Sequence, residues 1–195
     1  IREGICSPIL LGRESTIEEH KERLGLQFDC EIIDVRDDPR RKGKYSDILS
    51  EERARKGVTR ADAVRMLRSR TYFGSMMVAS DDADGLVGGI DRHYPDILRP
   101  CLHTIGTAPD VERLVGMYMM TIKGQLLFIG DATINIYPDS QTLAEIAIET
   151  AKMARRFGVK PVVAMLSFSN FGSSKEYRST RIEDAIKIVK ERDPS

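Results

Sequence analysis

The fold is decided by residues 125–168, QLLFIGDATINIYPDSQTLAEIAIETAKMARRFGVKPVVAMLSF. Two short apolar runs, residues 125–129 and 162–168, lie on either side of a stretch in which apolar and small side chains recur at the spacing of one helix face. That stretch, residues 139–157, is followed by Gly158, a natural helix stop. Short apolar runs that alternate with helices are typical of βαβ units, so the sequence predicts an α/β fold with a mostly parallel sheet.

Further elements are predicted in the rest of the chain. Apolar runs bounded by Gly, Pro or Asp predict strands at residues 5–11, 30–35 and 75–79. A Thr followed three residues later by an acidic residue is a capping signal, and it predicts helices that begin at Thr59 and at Thr180.

The chain is also predicted to contain two subdomains. A boundary near residues 107–113 gives residues 1–110 as a first α/β subdomain and residues 111–195 as part of a second. Residues 35–44 (VRDDPRRKGK) alternate in charge and are predicted to form an exposed connection, because such patterns favour solvation over partner binding.

The composition makes several classes of protein unexpected. Thirty basic residues balance thirty acidic ones among 195, so no excess charge favours a nucleic acid or an anionic membrane as partner. No run approaches the roughly 18 consecutive apolar residues of a membrane span. Cys6, Cys30 and Cys101 are widely spaced and form no CxxC pair, which favours a reducing cytoplasm. The chain starts at Ile1 without a basic-then-apolar leader, so a fragment of a longer protein without a signal peptide is expected.

Familiar site motifs are absent from the sequence. It contains no GxGxxG, no GxxxxGK[ST], no HExxH and no GxSxG, so neither a nicotinamide site nor a metal site is predicted within it. Residues 80–91 match a calcium loop weakly, and a tight turn in which Asp side chains accept backbone N–H groups is the preferred interpretation. His20, His93 and His103 are scattered and are interpreted as surface or structural histidines.

Two arginines and one loop are candidates for anion binding. Arg53 lies shortly before the predicted helix start, and Arg99 precedes Pro100. A guanidinium stays charged at any relevant pH and donates two parallel hydrogen bonds to a phosphate. The loop LSFSNFGSS, residues 166–174, follows a predicted strand and offers hydroxyl and backbone N–H groups to a phosphate or carbonyl. Solvated arginines and an ordinary serine turn are the simpler alternatives.

Four segments, taken in order, resemble the phosphate acetyltransferase and butyryltransferase family. They are RARKGVT at residues 53–59, DADGLVGG at 82–89, LRP at 98–100 and VAMLSFS at 163–169, with LAEIAI at 143–148 between the last two. The resemblance covers nearly the whole chain. It implies a three-layer αβα architecture with two subdomains, similar to isocitrate- and isopropylmalate-type dehydrogenases, here truncated, with acyl-CoA bound in the cleft between the subdomains.

The resemblance also implies roles for individual residues. Arg53 and Arg99 match the family's pair that handles the phosphates of coenzyme A and of the acyl phosphate. The loop residues expected to bind acetyl-CoA or phosphate are Ser167, Ser169, Asn170, Gly172 and Ser173. The Ser-Arg pair and the Asp with which the family positions and deprotonates the thiol belong to a segment beyond Ser195. The catalytic residues are therefore left unassigned.

One branch of the family matches in more detail, the phosphotransacetylase-like domain at the C-terminus of bacterial NADP-dependent malic enzymes. YFGSMM at residues 72–77 and SFSNFGS at 167–173 resemble that branch. Stand-alone acetyltransferases usually have a Ser- or Thr-rich stretch at residues 93–95 and a Thr-Lys or similar pair at 170–171. The leading hypothesis is a regulatory domain that binds acetyl-CoA and inhibits an upstream malic domain. That domain would hold NADP and a divalent metal and would oxidatively decarboxylate malate to pyruvate.

Two other hypotheses stay open. The protein could be a catalytic phosphate acetyltransferase, which moves acetyl between coenzyme A and phosphate, so whether this chain is itself an enzyme is undecided. A module that mediates oligomerisation through a vestigial fold is the third hypothesis. A homo-oligomer is expected because a truncated α/β fold leaves sheet edges and apolar faces uncovered.

Overall fold

The fold is mixed α/β and consists of two compact units, Ile1–Gly106 and Thr107–Ser195. The computed structural model describes residues 1, 3–109, 111, 113–166 and 177–194, without the side chains of residues 177–179. Within these ranges no helix is long and apolar enough to cross a membrane. The assignment of residues 1–110 and 111–195 to subdomains of a larger fold stays a prediction.

The first unit begins with a short parallel sheet. Strand β1 (Ile9–Leu11) pairs with strand β2 (Glu31–Ile33), and helix α1 (Glu14–Arg23) lies between them in the chain. Four helices follow, with 3-10 turns at Pro39–Arg41 and Ala54–Lys56. They are α2 (Lys44–Glu52), α3 (Arg60–Met66), α4 (Arg70–Ala79) and α5 (Tyr94–Thr104).

The core of the first unit joins helices α2, α3 and α4 to the β1–β2 sheet. Tyr45 and Leu49 from α2, Leu67 after α3 and Phe73 from α4 are completely buried. The rings of Tyr45 and Phe73 meet edge to face with centroids 5.1 Å apart. A buried side chain of this size contributes about 1.5–3 kcal/mol through removal from water, so this cluster stabilises the packing of α2, α3 and α4.

The second unit combines an antiparallel hairpin with two helices. Strands β3 (Met117–Ile122) and β4 (Gln125–Gly130) pair around Lys123 and Gly124, whose φ angles of 50° and 79° suit a tight hairpin turn. Helices α6 (Ser140–Arg156) and α7 (Tyr177–Arg192) pack on each other. Helix α6 also packs on β4, and the side chains buried on the two helices include Ala147, Ile148, Ala151, Ile182 and Ala185.

Two helix predictions are confirmed. Thr59 caps α3 through a capping box with Asp62, and α6 runs from Ser140 to Arg156 with Asp139 as its cap. The predicted start of the last helix at Thr180 is wrong, because α7 already includes Tyr177 and Thr180 lies inside it. Capping signals can occur within a helix, where they have no boundary to mark.

The predicted strand at residues 75–79 is wrong. These residues belong to helix α4, which is buried around most of its circumference and therefore shows no polar face in the sequence. Strands are present within the regions predicted at 5–11 and 30–35, but they are shorter: β1 covers Ile9–Leu11 and β2 covers Glu31–Ile33. Of the strand predicted at 162–168, the described residues 162–166 form no regular element.

The sheet and one connection also differ from expectation. A mostly parallel sheet was predicted, but the described residues contain one parallel pair and one antiparallel pair, in different units. The stretch 35–44 is not simply an exposed connection, because Val35 belongs to the core and Arg41 is only 6% exposed. The Nη2 of Arg41 donates to the carbonyl of Arg36 (2.6 Å), which gives one donor of this buried guanidinium a hydrogen-bond partner.

Candidate functional site

A cluster of polar side chains forms where α2, α4 and α5 meet. Arg53 is the residue at which α2 ends, and Tyr72 lies in the first turn of α4. Arg99 and His103 are four residues apart on α5 and so share one face of that helix. Helix α5 packs against both α2 and α4, which brings side chains that are distant in sequence into one place.

Tyr72 and His103 form the centre of this cluster. The Oη of Tyr72 lies 2.7 Å from Nδ1 of His103, and the two rings are tilted by 45° with centroids 5.9 Å apart. Both side chains are half-buried. A hydrogen bond of this length between partly desolvated groups fixes the orientation of both rings.

The pKa shifts of this pair show which charges lie near it. Burial lowers the pKa of His103, and the positive charges of Arg53 and Arg99 lower it further. Burial raises the pKa of Tyr72, while the same two arginines oppose that rise. Both rings are therefore neutral at neutral pH, and both guanidinium groups are close enough to act on each of them.

The two arginines have no acidic partner in the described part of the chain. Neither Arg53 nor Arg99 forms an ion pair there, and the Nε of Arg53 is buried without a hydrogen-bond partner. By contrast, Arg40 pairs with Asp38 at 2.7 Å and Arg60 pairs with Asp47 at 2.5 Å. Two unpaired guanidinium groups beside a neutral pair are chemically suited to bind an anion.

Further contacts involve α4 and α5, the two helices that carry Tyr72 and His103. Ser75 on α4 is completely buried; its Oγ donates to the carbonyl of Thr71 at 2.7 Å and lies 3.5 Å from Sγ of Cys101 on α5. Pro100 lies inside α5, where it lacks an N–H group, and its carbonyl accepts from the Thr104 hydroxyl of the same helix at 3.0 Å. Of these contacts, the one between Ser75 and Cys101 joins α4 to α5.

The acidic loop after α4 has a structural role. Asp82 accepts hydrogen bonds from the Tyr45 hydroxyl at 2.6 Å and from Lys44 at 3.2 Å, and these bonds lower its pKa. The loop is thereby attached to α2. Across the residues that the structure describes, no group of three His, Cys, Asp or Glu side chains is arranged to hold a metal ion.

The structure brings together two of the predicted site residues and adds two others. Arg53 and Arg99 both act on the Tyr72–His103 pair. His103 was interpreted as a surface or structural histidine, and Tyr72 was not considered as a site residue. The loop candidates lie outside the described residues; they are Ser167, Ser169, Asn170, Gly172 and Ser173. Arg99 and His103 have the four-residue spacing of one helix face, but no helix was predicted at these positions, so the sequence did not link them.

Comparisons with a family profile and with individual proteins agree on one group of relatives. The profile of the family described as "Phosphate acetyl/butaryl transferase" matches residues 1–195. A phosphate acetyltransferase of Staphylococcus epidermidis is 42% identical over 188 residues, which cover 95% of this chain and 56% of that protein. A phosphate acetyltransferase of Bacillus subtilis is 38% identical over 202 residues, 97% of this chain and 58% of that protein.

Solved structures agree with these sequence relatives. A phosphotransacetylase from Streptococcus pyogenes superposes with a TM-score of 0.88 at 34% identity, over 100% of this chain and 59% of that one. The EutD phosphotransacetylase from Staphylococcus aureus gives a TM-score of 0.82 at 37% identity, over 96% of this chain and 57% of that one. The chain thus spans just over half the length of the relatives that it matches.

The hypothesis of a malic enzyme regulatory domain is wrong. The relatives described above, 38–42% identical over 95–97% of the chain, are phosphate acetyltransferases. The upstream malic domain, the NADP-dependent oxidoreductase activity and the inhibition by acetyl-CoA are withdrawn with it. The hypothesis depended on short variants such as residues 72–77, and a few side chains carry less information than identity over the whole chain.

Proposed function

Because this chain belongs to the phosphate acetyl/butyryltransferase family, we propose that the protein transfers an acetyl group between coenzyme A and inorganic phosphate. In this reaction an oxygen of hydrogen phosphate attacks the thioester carbonyl carbon of acetyl-CoA. A C–O bond forms and the C–S bond breaks. The proton released from the phosphate passes to the departing thiolate, so the products are acetyl phosphate and coenzyme A.

The observation that carries this proposal is the pair of unpaired guanidinium groups. Arg53 and Arg99 act on the same Tyr72–His103 pair, and neither forms an ion pair within the described residues. Acetyl-CoA, coenzyme A, phosphate and acetyl phosphate all carry phosphate groups. Planar guanidinium groups bind such groups through paired hydrogen bonds and remain charged throughout the reaction.

In this proposal the two arginines bind and orient phosphate groups. The partly buried Arg53 holds its guanidinium against the α2–α4–α5 junction, whereas Arg99 is exposed on α5 and can adjust to its ligand. Ser167, Ser169, Asn170, Gly172 and Ser173 remain proposed donors to phosphate or to the thioester carbonyl. No residue is assigned as the base that accepts the proton.

Three broader expectations belong to the same proposal. Acetyl-CoA is the proposed thioester, by analogy with relatives named phosphate acetyltransferases. A homo-oligomer and an architecture like that of isocitrate-type dehydrogenases stay predictions. A cytoplasmic location is supported by three free cysteines, at positions 6, 30 and 101.

An assay of thiol release tests the proposed reaction directly. The full-length protein is mixed with acetyl-CoA, and free coenzyme A is measured with a thiol reagent while phosphate is varied. We expect release that depends on phosphate and is accompanied by acetyl phosphate. Thiol release without acetyl phosphate would mean hydrolysis, and binding of acetyl-CoA without any thiol release would contradict the proposed transfer.

A further inference from the structure

We propose that the Tyr72–His103 pair is a proton-linked positioning element, so that an anion bound at Arg53 and Arg99 favours protonation of His103. This inference rests on the proposed function, because it assigns the anion to the same arginine pair. Tyr72 and His103 are positioning residues here. They need not contact the reacting atoms.

The first step of the argument is the state of the pair without an anion. The pKa of Tyr72 is raised by burial, so its hydroxyl keeps its proton. The pKa of His103 is lowered by burial and by the two arginines, so its ring is neutral at neutral pH. The 2.7 Å between Tyr72 Oη and His103 Nδ1 permits a hydrogen bond in either direction, and the inference uses the tautomer in which the hydroxyl donates to Nδ1 and the ring proton resides on Nε2.

The second step concerns the titratable and charged groups near His103. The neutral Tyr72 on α4 is its hydrogen-bond partner, and the charged groups are Arg53 at the end of α2 and Arg99 on α5. No carboxylate among the described residues contributes to the pKa of His103. A protonated ring would therefore be a third positive charge beside two guanidinium groups, with nothing in the described residues to offset it.

An anion changes this balance. A doubly charged anion between Arg53 and Arg99 offsets the two positive charges that disfavour imidazolium, and it attracts the imidazolium itself. We expect the pKa of His103 to rise by about one unit on binding, since opposite charges at 4–6 Å typically shift a pKa by one unit or more. By linkage, the anion must then bind more tightly as the pH falls through the pKa of His103.

Sulfate is the appropriate probe, because its charge does not change between pH 5 and pH 8 whereas that of phosphate does. The imidazole signals of the protein are followed by NMR over this range, with and without saturating sulfate. The His103 signal is assigned from its loss in His103→Gln. We expect the pKa of His103 to rise with sulfate.

Affinity measurements on variants provide the second readout. The sulfate dissociation constant of the wild type should fall about tenfold between pH 8 and pH 5, the linkage partner of a one-unit pKa rise. His103→Gln keeps a side-chain acceptor for Tyr72 but cannot be protonated, so this pH dependence should disappear. Tyr72→Phe removes the donor that stabilises the neutral ring, so the pKa of His103 should rise in the absence of sulfate. His20→Gln is the matched control and should behave as the wild type.

The outcomes separate this inference from the proposed function. If sulfate binds in an Arg99-dependent manner while the pKa of His103 stays constant, the proton link is wrong and the anion site stands. If the pH dependence survives in His103→Gln, another group titrates and the inference is wrong. If neither sulfate nor coenzyme A binds at any pH tested, the anion site fails and the inference fails with it.

Discussion

At the scale of single residues, the partner of an arginine decides what it can do. Arg40 and Arg60 have aspartate partners, so their charge is compensated within the protein. Arg53 and Arg99 have none among the described residues, and both instead depress the pKa of His103. Residue type and family resemblance singled out these two arginines, and their role in binding an anion stays a prediction. His103 was missed because its partner Tyr72 is 31 positions away and only helix packing brings them together.

Replacing Arg99 tests the anion site. Arg99→Ala removes a charged hydrogen-bond donor and should weaken coenzyme A binding by about 1.5–3 kcal/mol, or roughly tenfold to a hundredfold. Isothermal titration calorimetry measures the difference. Arg68→Ala is the control, because Arg68 is an exposed arginine that acts on neither Tyr72 nor His103. Equal losses in both variants would indicate a general charge effect and would remove Arg99 from the site.

A buried carboxylate in the second unit leads to a stability prediction. Glu145 on α6 is 6% exposed, and Arg192 at the end of α7 donates to its Oε2 at 3.0 Å. Arg192→Ala leaves that carboxylate buried without this partner and should lower the free energy of unfolding by about 1–2 kcal/mol. Urea denaturation measures the loss.

Two further variants test whether the loss of stability comes from the ion pair. Lys190→Ala is the control, because Lys190 is an exposed cation in the same last turn, and its effect should stay within about 0.5 kcal/mol. Adding Glu145→Leu to Arg192→Ala removes the unpaired charge at similar volume and should recover part of the stability. If the double variant is less stable than Arg192→Ala, packing around Glu145 explains the effect and the ion pair does not.

At the scale of elements, local signals succeeded where one face of a helix meets solvent. The Thr59 cap and the α6 periodicity were visible because polar residues mark the exposed side. The prediction for α4 was wrong because residues 73–77 are all buried, and an apolar run of that length is equally typical of a buried strand. Strand β3 was missed because most of its side chains are exposed although several are apolar, so no alternation is visible.

The capping box of α3 gives a prediction at this scale. The Thr59 hydroxyl and backbone N–H both donate to Oδ2 of Asp62, at 2.6 and 3.0 Å, and the Asp62 backbone N–H donates back to the Thr59 hydroxyl oxygen. Thr59→Ala should destabilise the protein by about 1 kcal/mol at pH 7, the usual effect of losing a cap. Thr59→Ser keeps the hydroxyl and should lose much less.

The same capping box predicts a pH dependence. Hydrogen bonds from Thr59 lower the pKa of Asp62 below its ordinary value of 3.8. A carboxylate with a lowered pKa stabilises the folded state above its unfolded pKa, and this contribution is lost as the pH falls through the folded value. The stability difference between wild type and Thr59→Ala, followed by urea denaturation, should therefore shrink below about pH 4. A difference that is constant down to pH 2.5 would contradict this account.

At the scale of the whole molecule, the sequence predicted the class of fold but not the pairing of its strands. Alternating apolar runs and helices correctly indicated an α/β protein. Which strands pair depends on contacts between residues far apart in sequence. The β3–β4 hairpin shows the limit. Residues 125–129 were correctly predicted as a strand, but they were assigned to a parallel sheet, whereas β4 pairs antiparallel with β3 through the turn at Lys123-Gly124.

The division into two units leads to the last prediction. The cluster of polar side chains formed by Arg53, Tyr72, Arg99 and His103 lies within Ile1–Gly106, and so does the core built on Tyr45, Leu49 and Phe73. A unit with its own buried core is expected to fold without the rest. We therefore expect residues 1–106, expressed alone, to unfold in one cooperative thermal transition by circular dichroism and to retain sulfate binding. In the same piece, Phe73→Ala should cost about 3–5 kcal/mol and abolish that transition. A gradual transition in the unsubstituted piece would mean that residues 1–106 do not fold alone, and the expectation would then be wrong.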